Sequence, residues 1–367
     1  MKLKITHITQ FLGVGGLEKV LELLIEEQIR AGHEVMLIVY DYEQSWVDSF
    51  RKKGVIVETD YKKQDGYDFG LLRFLAKKIE GSDVVHTHDI NPALYIAPLR
   101  ILFRLSDKKF PRFIHTAHGM DHIHKRPILK FYEAFASHMT DLTVGVGKAV
   151  CDVYRSLGLP AHKIALIENG TRLTSPLDKH IHKMKICHEL GIDPQLKLWG
   201  AVARIVPLKN QKLILNFAKR RPDIHFLLVG PSGDEAYWTE LEKFKSQNVT
   251  MMGSRSDIPE ILAALDIFIS ASTHEGIPLS VLEAGAQSVP CVLSDIPGHR
   301  TLQDQSLAPI ALFFRNDDLE DLCHQTSLLN EKFANSIGSQ LNIHVEKNYS
   351  AKAMYQKYLD AYKGLNV

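Results

Sequence analysis

Cysteine is scarce in this sequence: four residues, at positions 151, 187, 291 and 323, stand far apart in 367 and form no C-x-x-C pair. That excludes a disulfide framework and the common zinc sets. It leaves Cys151, Cys187, Cys291 and Cys323 as separate buried thiols of a reducing compartment. Apolar runs long enough to cross a bilayer are absent. The first residues, Met1–Thr9, alternate polar and apolar side chains and lack the apolar core of a signal peptide. The expected location is cytoplasmic, at most on the inner face of the cytoplasmic membrane. Net charge is nearly absent too: 44 Lys and Arg against 43 Asp and Glu leave +1, without the basic field of a nucleic-acid binder. A complete dinucleotide fingerprint is missing, because Gly13, Gly15 and Gly16 are followed by Leu17 and Glu18 instead of closing a G-x-G-x-x-G. This argues against a nicotinamide-dependent dehydrogenase.

What is present is an ordinary globular composition, 45% hydrophobic and 24% charged, in a chain long enough for two cores. Short apolar runs at 3–8, 34–40, 55–58, 83–87, 112–116, 142–146 and 164–167 read as strands, with amphipathic helical stretches between them. This alternation predicts parallel βαβ units in an open, doubly wound α/β sheet. The polar stretch 168–188, with Asn169-Gly170 and Pro176, breaks the rhythm. A second alternation begins at 198–203 and continues through 224–230, 249–253, 267–271 and 290–294. The predicted division is a Rossmann-like domain over 1–170, a linker over 171–196, a second Rossmann-like domain over 197–348, and a helix over 349–367 crossing back to the first. In that helix Tyr355, Tyr358 and Tyr362 recur at i, i+3 and i+7. A central cleft between the two domains is expected, and ligands of such sheets bind outside the carboxyl ends of the strands.

Four segments follow strands and carry chemistry. In His274-Glu275-Gly276-Ile277-Pro278-Leu279-Ser280-Val281-Leu282-Glu283, Pro278 suits the first position of a helix, whose free N–H groups make an anion site suited to a diphosphate. Glu275 and Glu283, eight residues apart, would flank it and meet sugar and ribose hydroxyls. Arg204, with Lys209 near the next helix, offers two cations to neutralise a diphosphate leaving group; the plain alternative is a solvated loop. Gly13-Val14-Gly15-Gly16 lets backbone approach a ligand or simply makes a tight turn. His115, His118, His122 and His124 lie within ten residues, but their spacing matches no standard metal set. His118 is the one expected to face the cleft, and His86 and His88 are read mainly as structural. No Asp-x-Asp is present, so a bound diphosphate would be held by cations and helix N–H groups, with no metal and no cofactor.

Together these features resemble the GT-B retaining glycosyltransferases of glycosyltransferase family 4. The resemblance runs in order through Gly15, Gly16 and Glu18, Asp83-Val84-Val85-His86, His118-Gly119, Asn169-Gly170, Arg204 and Lys209. It continues through Leu228-Val229-Gly230, Met252-Gly253, Glu275-Gly276-Ile277-Pro278 and Glu283-Ala284. It implies a GT-B fold with an acceptor-side first domain and transfer of a hexosyl unit from a nucleotide-diphosphate sugar, UDP-sugar favoured. Glu275 would contact the donor sugar and Glu283 the ribose. Arg204 and Lys209 would hold the diphosphate, with the Gly276-Ile277-Pro278 turn and the backbone at Leu279 and Ser280. Gly15 and Gly16 would approach the phosphate, His118 would lie by the sugar, and the backbone near Gly253 to Arg255 would meet the base. The pattern departs at Thr171-Arg172 and at Pro297-Gly298-His299.

The acceptor side is marked by composition alone. Residues 100–130 carry eight Lys or Arg (Arg100, Arg104, Lys108, Lys109, Arg112, Lys125, Arg126, Lys130) against Asp107 and Asp121, interleaved with Leu102, Phe103 and Phe110. Such a segment is either a solvated face or a peripheral contact with anionic membrane. The expected partners are a nucleotide-sugar donor and a glycan or lipid-linked acceptor of surface-polysaccharide or glycoconjugate biosynthesis, with no nucleic acid. Two other activities fit the same frame: a sugar-nucleotide 2-epimerase, and a non-catalytic nucleotide-sugar-binding subunit.

Overall fold

The computed structural model describes residues 2–13, 16–43, 46–119, 128–303 and 308–365. The chain forms two compact units, one of Met1–Gly170 with Ala351–Val367 and one of Thr171–Ser350. In the first unit, seven parallel strands run β1 (Lys4–Leu12), β2 (Glu34–Glu43), β3 (Ile56–Glu58), β4 (Val84–His88), β5 (Arg112–Ala117), β6 (Leu142–Gly145) and β7 (Ile164–Leu166). Their order across the sheet is β3-β2-β1-β4-β5-β6-β7. In the second unit, six parallel strands run β8 (Lys197–Val202), β9 (Ile224–Val229), β10 (Val249–Gly253), β11 (Ile267–Ser270), β12 (Cys291–Asp295) and β13 (Leu312–Arg315), in the order β10-β9-β8-β11-β12-β13. Both are the doubly wound α/β architecture that the alternating pattern predicts.

Parallel strands covered on both faces should be nearly continuously apolar, and β9 is: all six residues are buried, with His225 the one polar side chain. The centre of the first sheet differs. Thr6, His7 and Thr9 on β1, His86, Thr87 and His88 on β4, and His115 and Thr116 on β5 are buried among Ile5, Ile8, Val84, Val85, Phe113 and Ile114. These polar side chains need partners. Many find them on the helix Ala351–Lys363, whose Tyr355, Tyr358 and Tyr362 bury their rings against this unit. Their hydroxyls meet His33 Nε2 at 2.8 Å, Thr116 Oγ1 at 3.1 Å and His86 Nδ1 at 2.9 Å, respectively.

Several elements differ from the sequence expectation. Within the predicted linker 171–196, Lys179–Leu190 is a helix of the second unit, begun by Asp178, whose Oδ1 accepts from Ile181 N at 3.0 Å, and ended by Gly191 at φ 66°. Its apolar face is narrow, with Ile186 and Cys187 buried, so its periodicity is faint. β13, the helix Leu319–Ser327 and the helix Glu331–Asn348 also lie outside the runs that the sequence pattern marks. That helix packs Leu341 and Val345 onto Gly285, where a Cβ would come within 3 Å of both side chains.

Candidate active site

In the second unit the strand order reverses between β8 and β11. Loops leaving the carboxyl ends of two such strands diverge, which is where doubly wound sheets take ligands. The loop after β8 carries Arg204, exposed, and the short turn Pro207–Lys209. The loop after β11 carries Ser272, Thr273 and Glu275. The two loops are joined at Leu208, whose carbonyl accepts from Thr273 N at 2.9 Å and from Thr273 Oγ1 at 3.2 Å. Across this join Lys209 Nζ stands 2.5 Å from Glu275 Oε1, which also accepts from Ser272 Oγ at 2.7 Å. Both partners are mostly shielded, at 19% and 14% side-chain exposure, so salt screens the pair less than a surface one.

The floor beneath Glu275 is built from β12. Ser294 Oγ donates to Ser272 O at 2.6 Å. His299, fully buried, donates from Nδ1 to Ser294 O at 2.8 Å, and its Nε2 faces Ser270 Oγ at 3.3 Å. Burial lowers the pKa of His299, so it stays neutral. Gly298 lies directly under the loop: a Cβ there would stand 2.3 Å from Glu275 O and 2.6 Å from Gly276 O. A similar constraint acts at Gly230 (φ 148°), where a Cβ would fall 1.9 Å from Ala203 O, beside Arg204. There Ala203 N donates to Val229 O at 2.9 Å and Gly230 N to Gly253 O at 2.8 Å, so the loops after β8, β9 and β10 form one surface.

The helix Leu279–Ala286 follows Glu275 directly, with Pro278 as its N-cap, one residue earlier than the sequence suggests, and with no side chain capping it. Its free N–H groups and the positive end of its dipole are thus left for an anion. Gly276 is exposed, Leu279 and Ser280 are half-buried, and Ile277 and Pro278 are buried. Glu283 is half-buried one turn in. At Arg255 the side chain is not free. Its guanidinium is committed to Asp257 (Nε–Oδ1 2.8 Å, Nη2–Oδ2 2.7 Å) and to Glu189, which leaves backbone, notably Gly253 at φ 66°, as the surface this segment offers a ligand.

The first unit has its own switch point between β1 and β4. Gly16 opens the helix Gly16–Arg30, and Glu18 in its first turn accepts from Gly13 N at 2.8 Å; Gly15 lies outside the described residues. Asp89, just past β4, sits at φ 63°, a strained conformation for a non-glycine residue, and its Oδ1 accepts from His118 N at 3.2 Å. Of the His-rich stretch, His115 is buried in β5, His118 follows it half-buried, and His122 and His124 lie outside the described residues.

His7 pairs with His86 in the β1–β4 register. Ring nitrogens of His7, His86 and His88 fall within 4.8 Å of one another, a grouping that could hold a metal ion. Yet all six ring nitrogens already have a hydrogen-bond partner, among Gln28, Tyr362, Thr116, His118 and each other. Burial holds all three neutral, with His7 at about 4 and His86 and His88 well below the usual histidine range. The cluster is a hydrogen-bonded chain.

Two family models cover most of the sequence: Glycosyltransferase Family 4 over residues 14–175 and Glycosyl transferases group 1 over residues 197–331. The chain belongs to this glycosyltransferase family. It is 29% identical to the UDP-Gal:alpha-D-GlcNAc-diphosphoundecaprenol alpha-1,3-galactosyltransferase of Escherichia coli, over 82% of this chain and 81% of that one. It is 30% identical to the N,N'-diacetylbacillosaminyl-diphospho-undecaprenol alpha-1,3-N-acetylgalactosaminyltransferase of Campylobacter jejuni, over 59% of this chain and 58% of that one. Its fold matches a crystal structure of Anabaena Alr3699/HepE in complex with UDP and glucose, with a TM-score of 0.84 at 17% identity over 99% of this chain and all of that one. The architecture is GT-B.

Two features of this glycosyltransferase escape sequence reasoning. His7 and Gln28 stand alone in their segments, and only the polar residues interrupting an otherwise apolar central strand mark them. The basic segment is also rearranged. Phe103 is buried and Phe110 packs on the core, Arg100 binds Asp141 and Met139 O, Arg112 donates to Ala361 O, and Lys108 pairs with Glu80. The apolar side chains still exposed on the helices Ile90–Leu105 and Ile128–His138, which pack on each other, include Ile101, Leu102 and Leu105 with Ile128 and Phe131 (68% exposed), beside Arg104, Lys109 and Lys130. Among the described residues no helix is long and apolar enough to cross a membrane.

Proposed function

We propose that this glycosyltransferase moves a hexosyl unit from a UDP-sugar to a lipid-linked acceptor in surface-glycan assembly, with retention at the anomeric carbon and without a metal. The observation that carries this is the Lys209–Glu275–Ser272 cluster beside the uncapped end of the helix Leu279–Ala286. A carboxylate fixed in orientation by a cation and a hydroxyl is suited to grip sugar hydroxyls. Lys209, Arg204 and the helix N–H groups are suited to a diphosphate. As the bond from the anomeric carbon to the β-phosphate oxygen breaks, the electron pair passes to that oxygen. Cations and dipoles already in place stabilise the charge. The acceptor hydroxyl attacks the same face, and its proton passes to the departing phosphate. Glu283 binds the ribose and backbone at Gly253 the base, while His118 and the glycines before Leu17 serve the same donor from the first unit. A UDP-sugar donor has support in the activity of the Escherichia coli relative, and an undecaprenyl-diphosphate-linked acceptor in the activities of both relatives. The exposed Phe131 and Leu105 with Arg104, Lys109 and Lys130 suit contact with an anionic inner membrane face.

The test is release of nucleoside diphosphate from UDP-, GDP- and ADP-sugars with excess chelator, with and without a glycosylated undecaprenyl diphosphate. Acceptor-stimulated release from a UDP-sugar that survives the chelator, giving a product of unchanged anomeric configuration, is expected. Dependence on an added divalent ion, or epimerisation without diphosphate release, would overturn the proposal.

A further inference from the structure

His118 does not stand alone. Its Nε2 lies 3.1 Å from His88 Nδ1, His88 Nε2 lies 3.0 Å from His7 Nδ1, and His7 Nε2 lies 2.9 Å from Gln28 Oε1. Gln28 Nε2 donates to the Tyr362 hydroxyl at 3.1 Å, and that hydroxyl meets His86 Nδ1 at 2.9 Å. The line thus runs from the C-terminal helix, through the helix Gly16–Arg30 and the central strands β1 and β4, to the loop after β5. Every ring between its ends is buried.

A neutral imidazole has one donor and one acceptor, so a chain of such rings has a single direction once one end is set. The far end is set by chemistry. A phenol hydroxyl is a stronger donor than an amide or a neutral imidazole N–H, and an imidazole nitrogen is the strongest acceptor in the line; the two meet where Tyr362 donates to His86. Tyr362 then accepts from the Gln28 amide nitrogen, which turns the Gln28 oxygen toward His7. His7 therefore carries its proton on Nε2, His88 carries its own on Nε2 to donate to His7 Nδ1, and His118 donates from Nε2 to His88 Nδ1. The Nδ1 of His118, on the other side of its ring, is left with a lone pair and has no hydrogen bond to a described residue. Burial keeps His118 neutral against the pull of Asp89 and Glu18.

We propose that Gln28, His7 and His88 are positioning residues that hold His118 as the Nε2–H tautomer, so that its Nδ1 accepts a hydrogen bond from a hydroxyl of the bound sugar. The relay makes His118 an acceptor of fixed direction and disfavours ligands that offer no hydroxyl there. Because this rests on His118 serving the donor, as proposed above, the tests separate the two.

The first test is NMR of the whole protein with nitrogen-labelled histidine, which distinguishes the two neutral tautomers by ring-nitrogen chemical shift. His118 with a protonated Nε2 and a bare Nδ1 is expected; the opposite tautomer, or an imidazolium at neutral pH, overturns the proposal. The second is kinetic. His88→Leu removes the acceptor for His118 Nε2–H and should lower kcat roughly 10-fold, the worth of one well-directed hydrogen bond, with KM changed much less. His88→Gln, which can still accept from His118 and donate to His7, should recover most of that loss. If the Gln variant is no better than the Leu variant at equal thermal stability, the relay has no such role. If His118→Ala is fully active, it is the placement of His118 at the donor that fails; if His118→Ala is inactive while His88→Leu is not, the relay fails and that placement stands.

Discussion

Acid should unfold the first unit before the second, and the structure sets the size of the effect. His7 is fully buried without a charge partner, and burial brings its pKa from 6.5 down to about 4. Between those two values the unfolded chain holds a proton at His7 that the folded chain does not. Stability is therefore full above pH 6.5 and is lost as pH falls toward 4. The slope is about 1.4 kcal/mol per pH unit for each such proton, so His7 alone costs about 2 kcal/mol on going from pH 6.5 to 5. His86 and His88 are held well below the usual range by the same burial, and His115 and His118 are lowered too. All five act in one direction, against a total stability of roughly 5–15 kcal/mol for a typical domain. The second unit has two lowered histidines, His225 and His299. The assay is amide hydrogen exchange, peptide by peptide, corrected for the intrinsic pH dependence. Between pH 6.5 and 5, protection of β1 and β4 should fall with a slope of more than two protons, and more steeply than that of β8 and β11. Equal slopes in the two sheets would refute the reasoning, because the histidines would then be reaching water or a charge partner without unfolding.

Three further outcomes follow from particular contacts. Glu275→Ala removes the carboxylate that Lys209 and Ser272 hold, and should lower kcat by about 100-fold or more while leaving the melting temperature nearly unchanged; wild-type kcat would remove Glu275 from the site. Gly298→Ala places a methyl against Glu275 O and Gly276 O. It should cost about 1–3 kcal/mol of stability in the second unit and activity as well, read by denaturant unfolding and initial rates; a neutral effect on both would mean that the loop after β11 has room to shift. Phe131→Ser should weaken cosedimentation with anionic phosphatidylglycerol vesicles by about 1.5–3 kcal/mol, the worth of one buried aromatic ring, with activity on a soluble acceptor unchanged; equal binding by the variant would place membrane contact elsewhere.

How far the site could be read in the sequence depends on whether a residue's role is local. Glu275, Gly276 and Pro278 are contiguous, so a strand end followed by proline-initiated helix is visible in one stretch, and Arg204 with Lys209 is visible for the same reason. The two sheets are equally plain, since runs such as Ile267–Ile269 and Phe226–Val229 are apolar and are spaced by amphipathic helices. What holds those residues in place is not contiguous. The floor under Glu275 comes from Ser294, Gly298 and His299, one strand further on, and Gly298 looks like any turn glycine until the backbone of the loop after β11 is laid over it. His7 is separated from His88 by 81 residues, and Gln28 from Tyr362 by 334. No spacing rule connects them, because sheet order and a returning helix, not sequence distance, bring them together. The basic segment failed in the opposite way. Counting charges over 100–130 treated Arg100, Lys108 and Arg112 as free, whereas each has a protein partner, and treated Phe103 and Phe110 as surface, whereas both pack inward. Composition marks the segment but not which of its side chains are free, because a helix with two neighbours buries more than one face. The part of the candidate site proposed to touch the ligand is thus written locally, and the part that fixes its geometry is written across the fold. A tautomer, as at His118, belongs wholly to the second kind.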